Sequence, residues 1–346
     1  MNSINRRQFI QYSSLAISTS ILTSCTNANN SNSTVKNGKN LDKVTYGTNW
    51  YAQAEHGGFY QAIATGIYED YGLDVTIRMG NAQVNGTQLL VGGAIDFYMG
   101  FGIEAISSVE AGIPTITVAA IFQKDPQVLI AHPGVGNDSL EQLKGKPIYI
   151  SSLSEKGYWQ FLKSKFDYTD NQKRPYNFSV APFLVDENVI QQGYLTSEPF
   201  IIKQKGGFKP VVMLLADAGY QPYSTTIETT KEMVEKNPDL VQRFVDASIK
   251  GWYSYLENPE PGNQLIKKDN PEMKDDLLAY SLEKMKEYGI IISGDAVTKG
   301  IGSMTDDRWK SFFDSVVEAG VIKSDTNYQE AFTLQFVNKG EKIMDN

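Results

Sequence analysis

From residue 43 onward, short apolar runs alternate with amphipathic ones. Residues 44–48 read as a strand, and Phe59, Ile63 and Ile67 fall at helical spacing, which predicts a helix over 57–67. Leu73, Val75, Ile77 and Met79 alternate as a second strand, and a helix over 83–91 stops at Gly92-Gly93. A strand over 95–99, a helix over 103–110 and an almost wholly apolar strand over 115–122 follow. Repeated strand–helix units with apolar strands predict an α/β fold with a parallel sheet covered on both faces.

Between residues 123 and 133 the rhythm changes: Val128-Leu129-Ile130 is a strand reached without a helix. A second unit follows, with segments over 140–143, 147–150, 158–166 and 177–180, a helix near 187–191 and a segment over 194–196. Residues 210–215 and 223–227 return the chain. Two crossings predict two α/β lobes joined by a two-strand hinge, with 43–125 and 222–346 in lobe 1 and 126–221 in lobe 2. A cap at Asn237-Pro238 opens a long amphipathic helix carrying Leu240, Val241, Phe244, Val245, Ser248 and Trp252. With further helices over 271–288 and 306–319, it is expected to pack on lobe 1.

The connection after the first strand, residues 49–60, concentrates the chemistry. It places Trp50, Tyr51, Glu55 and His56 just before Gly57-Gly58, which leave backbone amides open at a helix start. Taken singly, Trp50 and Tyr51 fit a packed core and His56 a structural imidazole. Crowded together at the carboxyl end of a strand, where ligands sit in open α/β sheets, they read as half of a ligand cleft.

Composition narrows the partners. A net charge of -8 with no dense basic block argues against nucleic acid, and a chain of 346 residues is ample for two lobes with their own cores. Two histidines and one cysteine provide neither a metal-ligand cluster nor an internal disulfide. Gly100-Phe101-Gly102 and Gly134-Val135-Gly136 lack the third glycine of a dinucleotide loop, and no phosphate-binding GxxxxGK[ST] or GxSxG elbow occurs, so no cofactor is expected. That silence favours binding over catalysis.

The single cysteine belongs to the leader. Arg6-Arg7, a weakly apolar run and Leu22-Thr23-Ser24-Cys25 make residues 1–25 a targeting segment, too short and too rich in Ser and Thr to span a bilayer. Leu22-Thr23-Ser24-Cys25 resembles a bacterial lipobox, in which the cysteine is lipidated; an ordinary export signal with an incidental cysteine is the alternative. Residues 26–42, rich in Asn, Ser and Thr, read as a flexible tether to the globular body. An exported protein, periplasmic or at the cell surface and held to the membrane only by a lipid, is the expectation.

Asn49-Trp50, His56, Gly66-Ile67-Tyr68, Tyr71-Gly72-Leu73-Asp74-Val75, Gly92-Gly93-Ala94-Ile95-Asp96 and Ala111-Gly112-Ile113-Pro114 form a series that resembles the thiamine-pyrimidine-type periplasmic binding proteins. These are relatives of sulfonate- and nitrate-binding proteins of ABC transporters and of the yeast thiamine-pyrimidine synthase. The likeness covers about residues 43–255. It implies a two-lobed periplasmic-binding-protein fold of type II, a monomer closing over a small molecule, and a membrane permease and ATPase as partners.

The resemblance also implies roles. Trp50 matches the position that lies against the pyrimidine ring, His56 the histidine heading the first helix, and Glu198 in Thr196-Ser197-Glu198-Pro199 a glutamate that accepts from an aminopyrimidine; as a bare sequence feature Glu198 equally suits a helix cap. Ser151, Ser152 and Tyr158 head the second lobe's connection as polar closers, although the serines also suit a cap. In the synthases, the segment after the third strand carries a lysine that holds pyridoxal phosphate and a histidine. Here residues 95–110 contain neither, Gly100 and Glu104 stand near those places, and Gly219-Tyr220-Gln221-Pro222-Tyr223 replaces a cysteine-rich motif. The enzyme is thereby disfavoured, and Gly100, Phe101, Glu104 and Tyr223 become candidate ligand contacts.

Overall fold

Two sheets divide the strands of the computed structural model, which describes residues 33–36, 39–81, 83–151, 154–155 and 157–339. The leader, Cys25 and Ser152 lie outside the described residues. The first sheet receives β1 (Ser33–Lys36), β2 (Lys39–Gly47), β3 (Leu73–Arg78), β4 (Phe97–Gly100) and β5 (Thr115–Phe122). The chain then builds the second from β6 (Gln127–Ala131), β7 (Ile148–Ile150), β8 (Lys173–Pro175), β9 (Ile190–Tyr194) and β10 (Val211–Leu214), and returns to the first through β11 (Ser224–Thr230). The orders are β1-β2-β4-β11-β5, with β3 also on β2, and β10-β6-β9-β7-β8.

Both sheets are mixed rather than parallel. β2 pairs in parallel with β3 and β4, but β11 enters between β4 and β5 antiparallel to both. In the second sheet β6 runs antiparallel to β9 and β10. Hydrophobic periodicity carries no strand direction, and a strand that re-enters a sheet after a double crossing can run against its neighbours. β1 lies within the segment expected to be a tether; it pairs with β2 from Ser33↔Asp42 to Lys36↔Lys39, because an open strand edge needs only backbone groups from its partner.

Helices α1 (Gly57–Ala64), α2 (Ile67–Asp70), α3 (Gly86–Val91) and α4 (Gly102–Glu110) accompany the first sheet, and α5 (Tyr158–Phe166), α6 (Ala181–Val185) and α7 (Glu198–Gly206) the second. After β11 come α8 (Lys231–Lys236), α9 (Pro238–Glu257), α10 (Glu260–Asp269), α11 (Asp275–Glu287), α12 (Ala296–Lys299) and α13 (Asp306–Glu318). The segment expected over 177–180 is irregular chain, with Phe178 in the left-handed region at φ 60°, and where a helix is expected near 187–191 the chain turns after α6 and enters β9 at Ile190. The alternation was hidden because Gln191 and Gln192 of β9 are buried polar residues; Gln192 accepts from Tyr158 Oη at 3.0 Å and from Ser154 Oγ at 3.1 Å.

The C-terminal helices do not pack on the first sheet alone. Ser281 of α11 donates to Thr196 O at 2.7 Å, Tyr280 packs on Phe200 at 5.1 Å, and Phe312 of α13 meets Tyr220 at 5.8 Å. They brace both halves.

α9 is the spine of the first half. Its buried face places Phe244 against Phe97 at 4.1 Å between ring centroids and Trp252 edge-on to Phe59 at 5.8 Å. α1 approaches so closely that glycine is required on both helices. A Cβ on Gly58 would fall 2.2 Å from the Trp252 indole, one on Gly57 2.2 Å from the Tyr255 ring, and one on Gly251 2.3 Å from Gly58 O. The paired glycines, expected as open amides, owe their lack of side chain to this packing. We therefore expect Gly251→Ala to lower unfolding free energy by about 1–3 kcal/mol through overpacking, despite alanine's better helix propensity. Urea unfolding with unchanged or raised stability would contradict so tight a crossing.

Candidate ligand-binding cleft

The loop from β2 to α1 is shaped by Thr48, whose hydroxyl donates to Trp50 O at 2.8 Å and accepts from Gly80 N at 3.1 Å. It presents a half-buried Trp50 and a Tyr51 that is 42% exposed, their rings edge-on at 5.5 Å. Across the gap stands Phe178, 4.7 Å from the Trp50 ring centroid and 5.3 Å from Tyr176. A non-glycine residue with positive φ is uncommon, and Phe178 adopts one where the two halves meet.

Behind the aromatics the turn delivers Glu55 and His56 into the interior, at 3% and 1% exposure. Thr196 Oγ1, beyond β9, donates to Glu55 Oε1, a direct bond between the two halves. Burial pushes Glu55 up to about 7, against the downward pull of that bond. His56 precedes α1, and its Nδ1 is buried with no hydrogen-bond partner. Burial lowers its pKa to about 3, so the imidazole is neutral at ordinary pH.

Glu198 opens α7 and is half-buried. One carboxyl oxygen accepts from Tyr194 N at 2.8 Å and the other lies 3.4 Å from Tyr176 Oη. Burial raises its pKa, and its charge bears on Glu55. Its carboxyl is thereby tied to the end of β9 and set beside Tyr176, which neighbours Phe178.

Glu104 is the third residue of α4. It accepts from Phe101 N–H, as a helix-capping glutamate does, while its Oε2 is buried without a partner. Gly100 makes room for a further carboxyl: a Cβ there would fall 2.0 Å from Glu228 Oε1. Burial pushes Glu104 up to about 7; burial and then the Glu104 charge push Glu228 up to about 8.

Glu228, Asp125, Tyr194, Tyr220, Tyr176, Phe178, Thr196 and Gln192 were not singled out from sequence. Asp125 sits in the first crossing, accepts from Gln127 N at 2.9 Å, and is pushed by burial up to about 7. A polar break at Gln123-Lys124-Asp125 in an otherwise apolar run, and a lone carboxylate in the Thr-rich strand 224–230, were the available signals. Tyr194 marks the point where these groups converge. Its phenol is held well above its usual range by burial and then by the charges of Asp125, Glu55, Glu198 and Glu104.

Some expected contacts have other employment. Tyr158 is buried with its hydroxyl on Gln192, and Ser151 has its Oγ 3.1 Å from Ser154 Oγ; both shape the second half instead of facing the gap with a free donor. Tyr223 donates to Asp295, accepts from Thr305 N at 2.9 Å and lies under Arg308 at 4.4 Å, so it braces the return crossing. His132 shares a 2.6 Å hydrogen bond with Phe183 O and stacks on Phe183 and Phe208, a structural role. Among the described residues no group of three His, Cys, Asp or Glu could hold a metal ion.

Two mixed sheets joined by a double crossing define the periplasmic-binding-protein fold. The chain belongs to the NMT1/THI5 like family, whose model matches residues 53–261. It is 22% identical over 308 residues to the riboflavin-binding protein RibY of Chloroflexus aurantiacus, covering 87% of each chain. It is 23% identical to the formylaminopyrimidine-binding protein of Halalkalibacterium halodurans, over 71% of this chain and 78% of that one. A 4-amino-5-hydroxymethyl-2-methylpyrimidine phosphate synthase of Schizosaccharomyces pombe is 25% identical over 63% of this chain and 67% of its own. The Escherichia coli aliphatic sulphonate binding protein SsuA shares the fold, with TM-score 0.63 and 12% identity over 84% of this chain and 91% of that one.

The raised carboxyls fix a pH dependence. A carboxyl whose folded pKa exceeds its unfolded value holds a proton that the unfolded chain has released, so its stabilisation is lost as pH rises through the folded pKa. Glu55, Glu104 and Asp125, near 7, and Glu228, near 8, all act in this sense. His56 acts oppositely, but only below the ordinary histidine range. From pH 6.5 to 8.5 the ligand-free protein should lose roughly 5 °C in Tm, and Glu228→Gln should lose less. A Tm that rises across that window in a thermal-shift series would show the carboxyls to be ionised in the folded state.

Proposed function

We propose that this protein is the extracytoplasmic solute-binding lipoprotein of an ABC importer, anchored through Cys25, that captures a flat nitrogen heterocycle such as a thiamine-precursor pyrimidine between its lobes. The observation that carries the reading is the pairing of an aromatic wall, Trp50, Tyr51 and Phe178, with the carboxyls of Glu55 and Glu198 in one gap. Planar heterocycles bind aromatic faces, and exocyclic amino groups donate to carboxylates. The relatives named for riboflavin and formylaminopyrimidine support the ligand class.

The other readings fit less well. An anionic sulfonate needs cationic or amide donors, whereas the groups gathered here are acidic; likeness to SsuA extends to fold alone. A synthase of the related kind needs the lysine for which Gly100 stands, and Glu228 fills the space beside that glycine.

A ring inserted between Trp50 and Phe178 needs about 7 Å, two carbon–carbon contact distances, against the 4.7 Å between centroids. Binding therefore separates this pair and re-forms the closed gap around the ligand, with contacts from both lobes favouring the state read by the permease.

Calorimetry and tryptophan fluorescence on the chain lacking residues 1–25 test this. An aminopyrimidine should bind and change Trp50 emission, and Trp50→Ala and Glu198→Gln should each weaken it at least ~10-fold, the scale of a lost stacking or charge-assisted contact. Binding of taurine with no response to aminopyrimidines or flavins would end the proposal, and an absorbance band from bound pyridoxal phosphate would favour the enzyme.

A further inference from the structure

Resting on the heterocycle-binding reading, the inference concerns the innermost part of the same gap. Glu104 comes from the start of α4 and Glu228 from β11, and Gly100 ends the strand that pairs with β11 at Gly100↔Thr226. The Glu228 carboxyl reaches back along its strand, 3.2 Å from Thr226 Oγ1, to fill the room a side chain on Gly100 would take. Glu104 has one oxygen on the Phe101 amide and the other buried and unmatched. Ile103, its neighbour in α4, lies 4.0 Å from where a Cβ on Gly157 would stand, so the start of α4 meets the second half.

Nothing among the described residues balances this pair. Among the described residues neither carboxyl has a lysine, arginine or histidine partner, and the ion pairs present are at the surface or elsewhere. Two neighbouring buried carboxyls without a counter-charge cannot both ionise; one or both retain a proton. A metal is not the missing charge, since no three-ligand set is present among the described residues.

We propose that Glu104 and Glu228, beside the side-chain-free Gly100, form a subsite for a positively charged nitrogen of the ligand, so that the protein selects cationic nitrogen heterocycles, such as those bearing a protonated aminoalkyl arm, over neutral isosteres. The cation supplies the absent counter-charge, and its entry drives protons off the pair into solvent. Both carboxyls titrate near neutrality when the site is empty, so the exchange occurs at ordinary pH. Cation binding then strengthens as pH rises toward the point where the ligand's own amine deprotonates.

Two probes separate the possibilities: a 4-aminopyrimidine with an aminomethyl arm and the same ring with a hydroxymethyl arm. Calorimetry in two buffers of different ionisation enthalpy, at pH 6 and pH 8, should show the aminomethyl ligand binding at least ~10-fold more tightly than the hydroxymethyl one at pH 8 and releasing protons. Its affinity should rise at least several-fold from pH 6 to pH 8, while the hydroxymethyl ligand binds without proton release. Glu104→Gln and Glu228→Gln, each isosteric, should reduce that preference and the proton release, with the hydroxymethyl ligand as the check that the cleft is intact. If both probes bind alike, with no proton release from either, the subsite is refuted while the heterocycle reading stands. If neither probe binds the native protein, both fall.

Discussion

Parallel pairing within a sheet delivers successive strand-to-helix loops to one edge, and the architecture follows from that constraint. β2, β3 and β4 run the same way, so the loops after β2 and β4 emerge together, carrying Trp50, Glu55 and His56 in one and Gly100 and Glu104 in the other. The second sheet, entered and left through two crossings, holds Phe178, Tyr194, Thr196 and Glu198 against that edge. Polar groups that no core would accept thus meet in a gap, each half covering what the other cannot bury.

Acidity is the consequence. Glu55, Glu104, Asp125, Glu198 and Glu228 all have raised pKa values with burial as the first cause, and none has a basic partner among the described residues. Unpaired buried polar groups are kept in native structures where they do something other than stabilise. The neutral His56 and the orphaned Oε2 of Glu104 belong to the same pattern.

Much of this was legible in the chain. The helix over 238–257 follows from apolar spacing and from Pro238 at its first position, although Asn237 makes no side-chain cap, and the turn at 49–60 follows from the break between two apolar patterns. Strand direction was not legible, because pairing with a sequence-distant neighbour decides it; β11 shows this. Nor was β9, where two buried glutamines break the apolar pattern because partners far away in sequence satisfy them. Of the candidate site, the turn carrying Trp50, Glu55 and His56 and the helix starts carrying Glu104 and Glu198 were legible as local features. Tyr158 and Tyr223 have their hydroxyls committed to Gln192 and Asp295, partners that only folding brings near. Asp125 and Glu228 escaped notice because a lone carboxylate in a strand or crossing gains meaning only from its spatial neighbours.

The two halves are tied on more than one side. Trp50–Phe178 and, deeper, the buried Thr196–Glu55 bond tie the halves, while α11 holds the backbone of Thr196 through Ser281 from behind. Thr196 is therefore gripped on both sides, by the turn that carries Trp50 and by a helix that follows the second crossing. Moving the halves apart must release at least one of these grips. Tyr223, pinned by Asp295 and Thr305 beneath Arg308, whose guanidinium also bonds Gln123 beside the other crossing, couples the two connections at their base.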